Sequence, residues 1–128
     1  MPCSQKQNPV FRELSYAIAA HGNWKQSMRK ALDGEACDLT PARVRDDHAC
    51  DLGKWLFEDC PPQIRTTPRY AEVVRLHAEF HAHATRVLDM ARAGLLAEAR
   101  LEVEGEGEFT RRSLALVKTL LEWKAEAA

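Results

Sequence analysis

A chain of 128 residues fits one domain of ordinary size, expected to span 1–128 with residues 1–8 and 126–128 fraying. Eighteen Lys and Arg against 19 Asp and Glu leave a net charge of −1, which excludes the basic excess of a dedicated nucleic-acid or membrane-surface binder. An apolar fraction of 45% with 29% charged residues excludes a disordered or fibrous chain.

No apolar run approaches the roughly 18–20 residues of a membrane span. The first nine residues, Met-Pro-Cys-Ser-Gln-Lys-Gln-Asn-Pro, lack the apolar core of a secretory signal, so a cytoplasmic location is expected. In that reducing setting Cys3, Cys37, Cys50 and Cys60 read as thiols or metal ligands rather than disulfides.

Helical periodicity dominates and strand signals are scarce, so the predicted class is all-α: an antiparallel up-down four-helix bundle with a short second helix. Asn8-Pro9 opens the first helix as cap and first-turn proline. Its stripe runs Phe11, Leu14, Ile18, His21, Lys25, Met28, Leu32, with Lys25 snorkelling at the edge and Trp24 packing beside it. Asp33-Gly34 stops it. Residues 35–46 connect, with room for one helical turn after Thr40-Pro41. A second helix is expected from Asp46 or Asp47 to about Glu58, carrying Cys50 near its middle, and Cys60-Pro61-Pro62 ends it.

Thr67-Pro68 opens the third helix, with the stripe Tyr70, Val73, His77, Phe80/His81, Ala84, Val87/Leu88, Ala91 and a stop at Ala93-Gly94. The last segment starts near Leu95 and carries Leu101, Phe109, Leu116, Leu120 and Trp123 on one face. Gly105 and Gly107 each weaken it by about 1 kcal/mol and set a bend or break. Glu98, Glu102, Glu104, Glu106 and Glu108 read as a solvated face.

The histidines carry the chemistry. His77 and His81 stand one turn apart on one helix face, a spacing at which two imidazoles can hold one ion. His21 points inward from the first helix, and Cys50 offers a thiolate from the second. Three His and one Cys would fill a tetrahedral Zn²⁺ shell, leaving no open position for catalysis. The plainer reading has His77 and His81 capping carbonyls or pairing with Glu, and Cys50 acting as a small buried hydrophobe. Spacing leaves both readings open.

His21-Gly22-Asn23-Trp24, Cys50-Asp51-Leu52-Gly53-Lys54-Trp55-Leu56 and His77-Ala78-Glu79-Phe80-His81, in this order, resemble the bacterial chemoreceptor zinc-binding (CZB) domain family with its H-x-x-W, C-x-x-G-K-W and H-x-x-x-H motifs. The similarity runs from about residue 10 to 125, and the Cys-x-x-Gly-Lys-Trp element is its most specific part. It implies zinc held by His21, Cys50, His77 and His81. It also implies a bundle of four main helices, often dimeric, and a sensory module working with a chemoreceptor or diguanylate cyclase. In such domains zinc, or oxidation of the cysteine by oxidants such as hypochlorous acid, sets a partner's output. With no signalling hairpin or cyclase in the sequence, the chain reads as a free-standing module or the first part of something longer.

Trp24, Gly53 and Trp55 read as surroundings of the ion: the indoles exclude water, and Gly53 lets another helix backbone or a bulky ring such as Trp24 or Trp55 approach closely. His48 and His83 sit two residues from a ligand, on the wrong side of a helix. Cys60 lies about 15 Å along from Cys50 by the helical rise. A non-enzymatic role is expected. The alternative is a purely structural zinc that holds a dimerising bundle together. A hydrolase using zinc-bound water would need one of the four ligands to be missing from the shell.

Overall fold

The computed structural model describes residues 9–35, 41–48, 50–105 and 107–127, and these are all-helical with no strand. The cap Asn8, together with Cys3, Cys37, Thr40 and Glu106, lies outside the described residues.

Helix α1 runs Pro9–Leu32. Leu14, Ala17, His21, Met28 and Leu32 form its buried stripe, with Ile18 and Trp24 packed against the core. Beyond it Gly34 takes φ 76°, a left-handed turn natural to glycine. The Gly34 N–H donates to the Ala31 carbonyl at 3.2 Å and the Glu35 N–H to the Lys30 carbonyl at 2.9 Å, which satisfies the helix's last acceptors. Gly94, at φ 90°, closes the third long segment in the same way.

A short helix, α2 (Pro41–Arg45), fills the connection where Pro41 allowed one. The segment after it departs from expectation. No helix starts at Asp46 or Asp47. The Asp46 carboxylate instead accepts from the His48 N–H at 2.9 Å, a side-chain-closed turn. Helix α3 (Asp51–Lys54) starts later, and Cys50 is its N-cap, extended at φ −79°, ψ 165°, rather than a mid-helix residue. It widens into a π-helical stretch, Trp55–Asp59, closed by the Cys60 N–H donating to the Trp55 carbonyl at 2.7 Å. Pro61 has no N–H for the next carbonyl, that of Leu56. The Tyr70 hydroxyl donates to it at 2.9 Å.

A four-residue helix not anticipated from sequence, α4 (Pro62–Arg65), precedes α5 (Pro68–Arg92). The Thr67 hydroxyl caps α5 by accepting from the Tyr70 N–H. Val73, His77, Phe80, His81, Ala84, Val87 and Leu88 are its buried face.

The final segment breaks where the glycines stand, into α6 (Leu96–Glu104) and α7 (Glu108–Ala127). The Glu102 carboxylate accepts from the Glu108 N–H at 2.8 Å across the break. Two helices in place of one reset the phase of the stripe. Leu101, expected inside, is 68% exposed, and Ala99 and Val103 are buried instead. Glu104 pairs with Arg29 of α1, so part of the acidic stretch has partners. Helix α7 runs on to Ala127, and Glu126 pairs with Arg69.

Helix α7 packs against α5 and α1, and α6 packs against the same two. Phe109, Leu116, Leu120 and Trp123 enter the core from α7. Phe109 is buried beside Phe80, ring centres 5.4 Å apart. Phe109→Ala is expected to cost about 3–5 kcal/mol by the usual cavity penalty. Urea unfolding followed by circular dichroism checks it, and a loss under about 1 kcal/mol would mean the α7–α5 contact carries little of the core.

Candidate metal centre

Three elements bring the predicted donors together. His21 comes from the middle of α1, Cys50 from the cap of α3, and His77 and His81 from successive turns of α5. His21, Cys50 and His77 offer ligand atoms that all lie within 4.8 Å of one another. Cys50 Sγ is 3.1 Å from His77 Nε2 and 3.5 Å from His81 Nε2, and the two Nε2 atoms are 3.0 Å apart. Bonds of about 2.0–2.1 Å to nitrogen and 2.3 Å to sulfur place the ligand atoms of one tetrahedral ion roughly 3.3–3.7 Å apart. The Cys50–His81 separation is of that size, the other two are a few tenths of an ångström shorter, and the three-donor group with His21 spans up to 4.8 Å.

Two of the donors, His81 and Cys50, are held by hydrogen bonds to the main chain. His81 Nδ1 lies 2.8 Å from the Val44 carbonyl. A carbonyl can only accept, so Nδ1 carries the proton and Nε2 turns its lone pair to the cluster. The Gly53 N–H donates to Cys50 Sγ at 3.4 Å. Gly53 is where the turn closes: a Cβ there would sit 1.9 Å from the Asp47 carbonyl oxygen and 2.9 Å from His48 Cα. The close neighbour expected at Gly53 is therefore the backbone just ahead of Cys50, not another helix.

Trp24 and Phe80 wall the histidines. Trp24 stacks along His21, ring centres 6.1 Å apart, and meets His81 edge-on at 5.1 Å. Phe80 stands 4.9 Å from His21, edge-on. Trp55 faces the other way, against Trp123 at 5.6 Å. Of the residues set aside, His48 is exposed and stacked on Phe57 at 3.8 Å, His83 is half-buried, and Cys60 is a buried core thiol.

The residues matched are 21–88, more than half of the chain, and the family is that of the chemoreceptor zinc-binding domain. The chain belongs to the CZB family. The match runs from His21 to Leu88, so it includes all four candidate ligands and stops short of α6 and α7. No curated protein and no solved structure matches the chain.

The CZB site fits a soft divalent cation on its own chemistry. Burial, then the neighbouring histidines, push His77 down to about 2; burial and His81 push His21 down to about 3. Burial also lowers His81, against the pull of the Val44 carbonyl. All three imidazoles are thus neutral, as ligation requires. Burial raises the Cys50 thiol; the Gly53 and Leu52 N–H groups oppose this, and the charges of Asp51 and Asp47 add to it. A cation held by the cluster would favour the thiolate form of that thiol. His21 Nδ1 and His77 Nδ1 are buried with no hydrogen-bond partner.

These shifts fix a pH response for the metal-free protein. Below pH 6.5 the unfolded chain protonates these histidines, while the folded chain leaves His21 and His77 neutral down to about 3 and about 2. The unfolded state then binds more protons, so stability is full above pH 6.5 and falls as pH drops toward 3. With a chelator present, the melting temperature should decline steadily from pH 7 to pH 4. A flat profile across that range would contradict the burial of these imidazoles.

The residues that sequence reasoning missed are Val44, Phe80 as part of the site wall, and the Asp47–His48 backbone. Phe80 stood on the predicted α5 stripe. The other two act through main-chain atoms, which leave no residue-type signature.

Proposed function

We propose that His21, Cys50, His77 and His81 hold one zinc ion, and that this CZB domain is a non-enzymatic cytoplasmic sensory module. The observation that carries the reading is the convergence of one sulfur and the imidazole nitrogens of α1, α3 and α5 in a buried, aromatic-walled site. Zinc supplies the charge that stabilises a thiolate and joins the three elements. Four protein donors leave no position for an activated water, which argues against hydrolysis. Among the described residues no helix is long and apolar enough to cross a membrane.

The signal is the zinc level or the oxidation state of Cys50. Hypochlorous acid takes two electrons from the thiolate: a sulfur–oxygen bond forms, the O–Cl bond breaks, and chloride leaves with a sulfenic acid left behind. The sulfenic acid is a poorer ligand. Loss of Cys50 from the set uncouples the α3 turn from α1 and α5, a discrete change of the kind that switches use. The output passes to a chemoreceptor or diguanylate cyclase, with the domain acting as a homodimer.

Elemental analysis of protein purified without added zinc tests the reading. About one zinc per chain is expected, and removing it with a chelator should lower the melting temperature. A ligand at 100 times its dissociation constant adds about 2.7 kcal/mol to the folded state. Zinc bound but indifferent to stoichiometric hypochlorous acid would favour the purely structural alternative. No zinc at any purity would overturn the reading.

A further inference from the structure

Residues 41–48 touch the site from two sides. From α2, the Val44 carbonyl accepts from His81 Nδ1 at 2.8 Å, and the Val44 side chain is fully buried. Three and four residues on, the Asp47–His48 backbone lies so close on Gly53 that no Cβ fits between them. Gly53 in turn donates its N–H to Cys50 Sγ. The far end is closed by the His48 ring, stacked on Phe57 at 3.8 Å with the planes 8° apart. Between the segment and α5 an open cavity of about 420 Å³ remains, lined by Arg45 and Asp47 on one side and Ala78, His81, Ala82 and Thr85 on the other.

We propose that residues 41–48 are a strap that governs zinc release, with the Val44 carbonyl as a positioning group for His81 and the Asp47–His48 backbone as the brace of the Cys50 turn. This rests on the ligand assignment above. The hydrogen bond fixes which His81 nitrogen faces the ion, an outer contact of the kind whose loss costs about 10–100-fold in metal affinity. The brace fixes Cys50 through Gly53. One movement therefore disturbs two of the four ligands, on two different elements. The cavity makes that movement cheap along one flank, because little packed surface has to separate there. The buried Val44 side chain and the His48–Phe57 stack are two contacts that hold the strap, and these are the places to weaken it.

The experiment follows zinc transfer from the loaded protein to a chromogenic chelator, for wild type, Val44→Gly and His48→Ala. Zinc content at the start is measured by elemental analysis. Release is expected to speed up about tenfold or more in Val44→Gly and less in His48→Ala, whose contact is on the surface. In a His81→Ala background loaded with excess zinc the Val44→Gly change should add clearly less than it does in wild type, since one of its two targets is gone and only the Cys50 turn is left to disturb. An equal acceleration in both backgrounds means the strap is structural only and overturns the proposal. Nitrogen-15 spectra of the imidazoles give a second readout that needs no mutant to fold. Wild-type His81 should be protonated at Nδ1 and bound through Nε2; the opposite arrangement refutes the role given to Val44. If wild type holds no zinc, the ligand assignment fails first and takes the strap with it. If zinc is bound and release is unchanged, only the strap fails.

Discussion

His77→Ala is expected to remove zinc binding while leaving a folded, helical protein. His77 Nε2 stands at the centre of the cluster, 3.1 Å from Cys50 Sγ and 3.0 Å from His81 Nε2, and the His77 ring is fully buried. Contacts one layer out from a metal are commonly worth about 10–100-fold in affinity. A ligand itself should exceed that, so the dissociation constant should rise by more than about 100-fold, or about 2.7 kcal/mol. The metal-free fold should suffer less than a usual core truncation. The ring brings a buried Nδ1 with no partner, and deleting it removes that penalty while it opens a cavity. Competition with a chelator measures the affinity, and circular dichroism reports the fold. Wild-type retention of zinc by His77→Ala would sink the four-ligand assignment. Cys50→Ser makes a companion test, because a hydroxyl keeps the shape of the cap but gives up the soft sulfur ligand.

Gly53→Ala should weaken zinc binding about 10–100-fold with every ligand in place. The added methyl would lie 1.9 Å from the Asp47 carbonyl oxygen and 2.9 Å from the Asp47 carbonyl carbon. Those are backbone atoms, with no flexible end to swing aside, so the turn has to open. Overpacking of this kind costs roughly 1–3 kcal/mol. The opening also pulls the Gly53 N–H from Cys50 Sγ and shifts the sulfur relative to α5. Isothermal titration with zinc, set beside thermal melting of the metal-free variant, separates the two effects. A variant that melts lower yet binds zinc as wild type does would show that the turn supports the fold and not the site.

The helices and their ends were legible because their signals are local. Thr67-Pro68 and Gly34 act through their own turn, and they stand in the structure where the pattern put them. The inward faces of His21, His77 and His81 followed from helical spacing alone, since long helices keep phase over many turns. The failures came where phase could not be carried. The Gly105 break turned Leu101 outward. The Asp46 turn delayed α3, and Cys50 became a cap. Four-residue α4 was invisible because so short a helix has no periodicity to read.

By itself the sequence determined the helical class, the inward histidines and the three motifs that mark the CZB family. Residue type and spacing suffice for those properties. Only the tertiary structure decided that the sulfur meets the His77 and His81 imidazoles within hydrogen-bond distance with His21 in the same group, that Val44 orients His81, and that Gly53 makes room for the backbone before Cys50. These last two depend on main-chain atoms brought together from separate segments. Every residue carries the same carbonyl and the same N–H, so only the folded path of the chain says which of them reach the site.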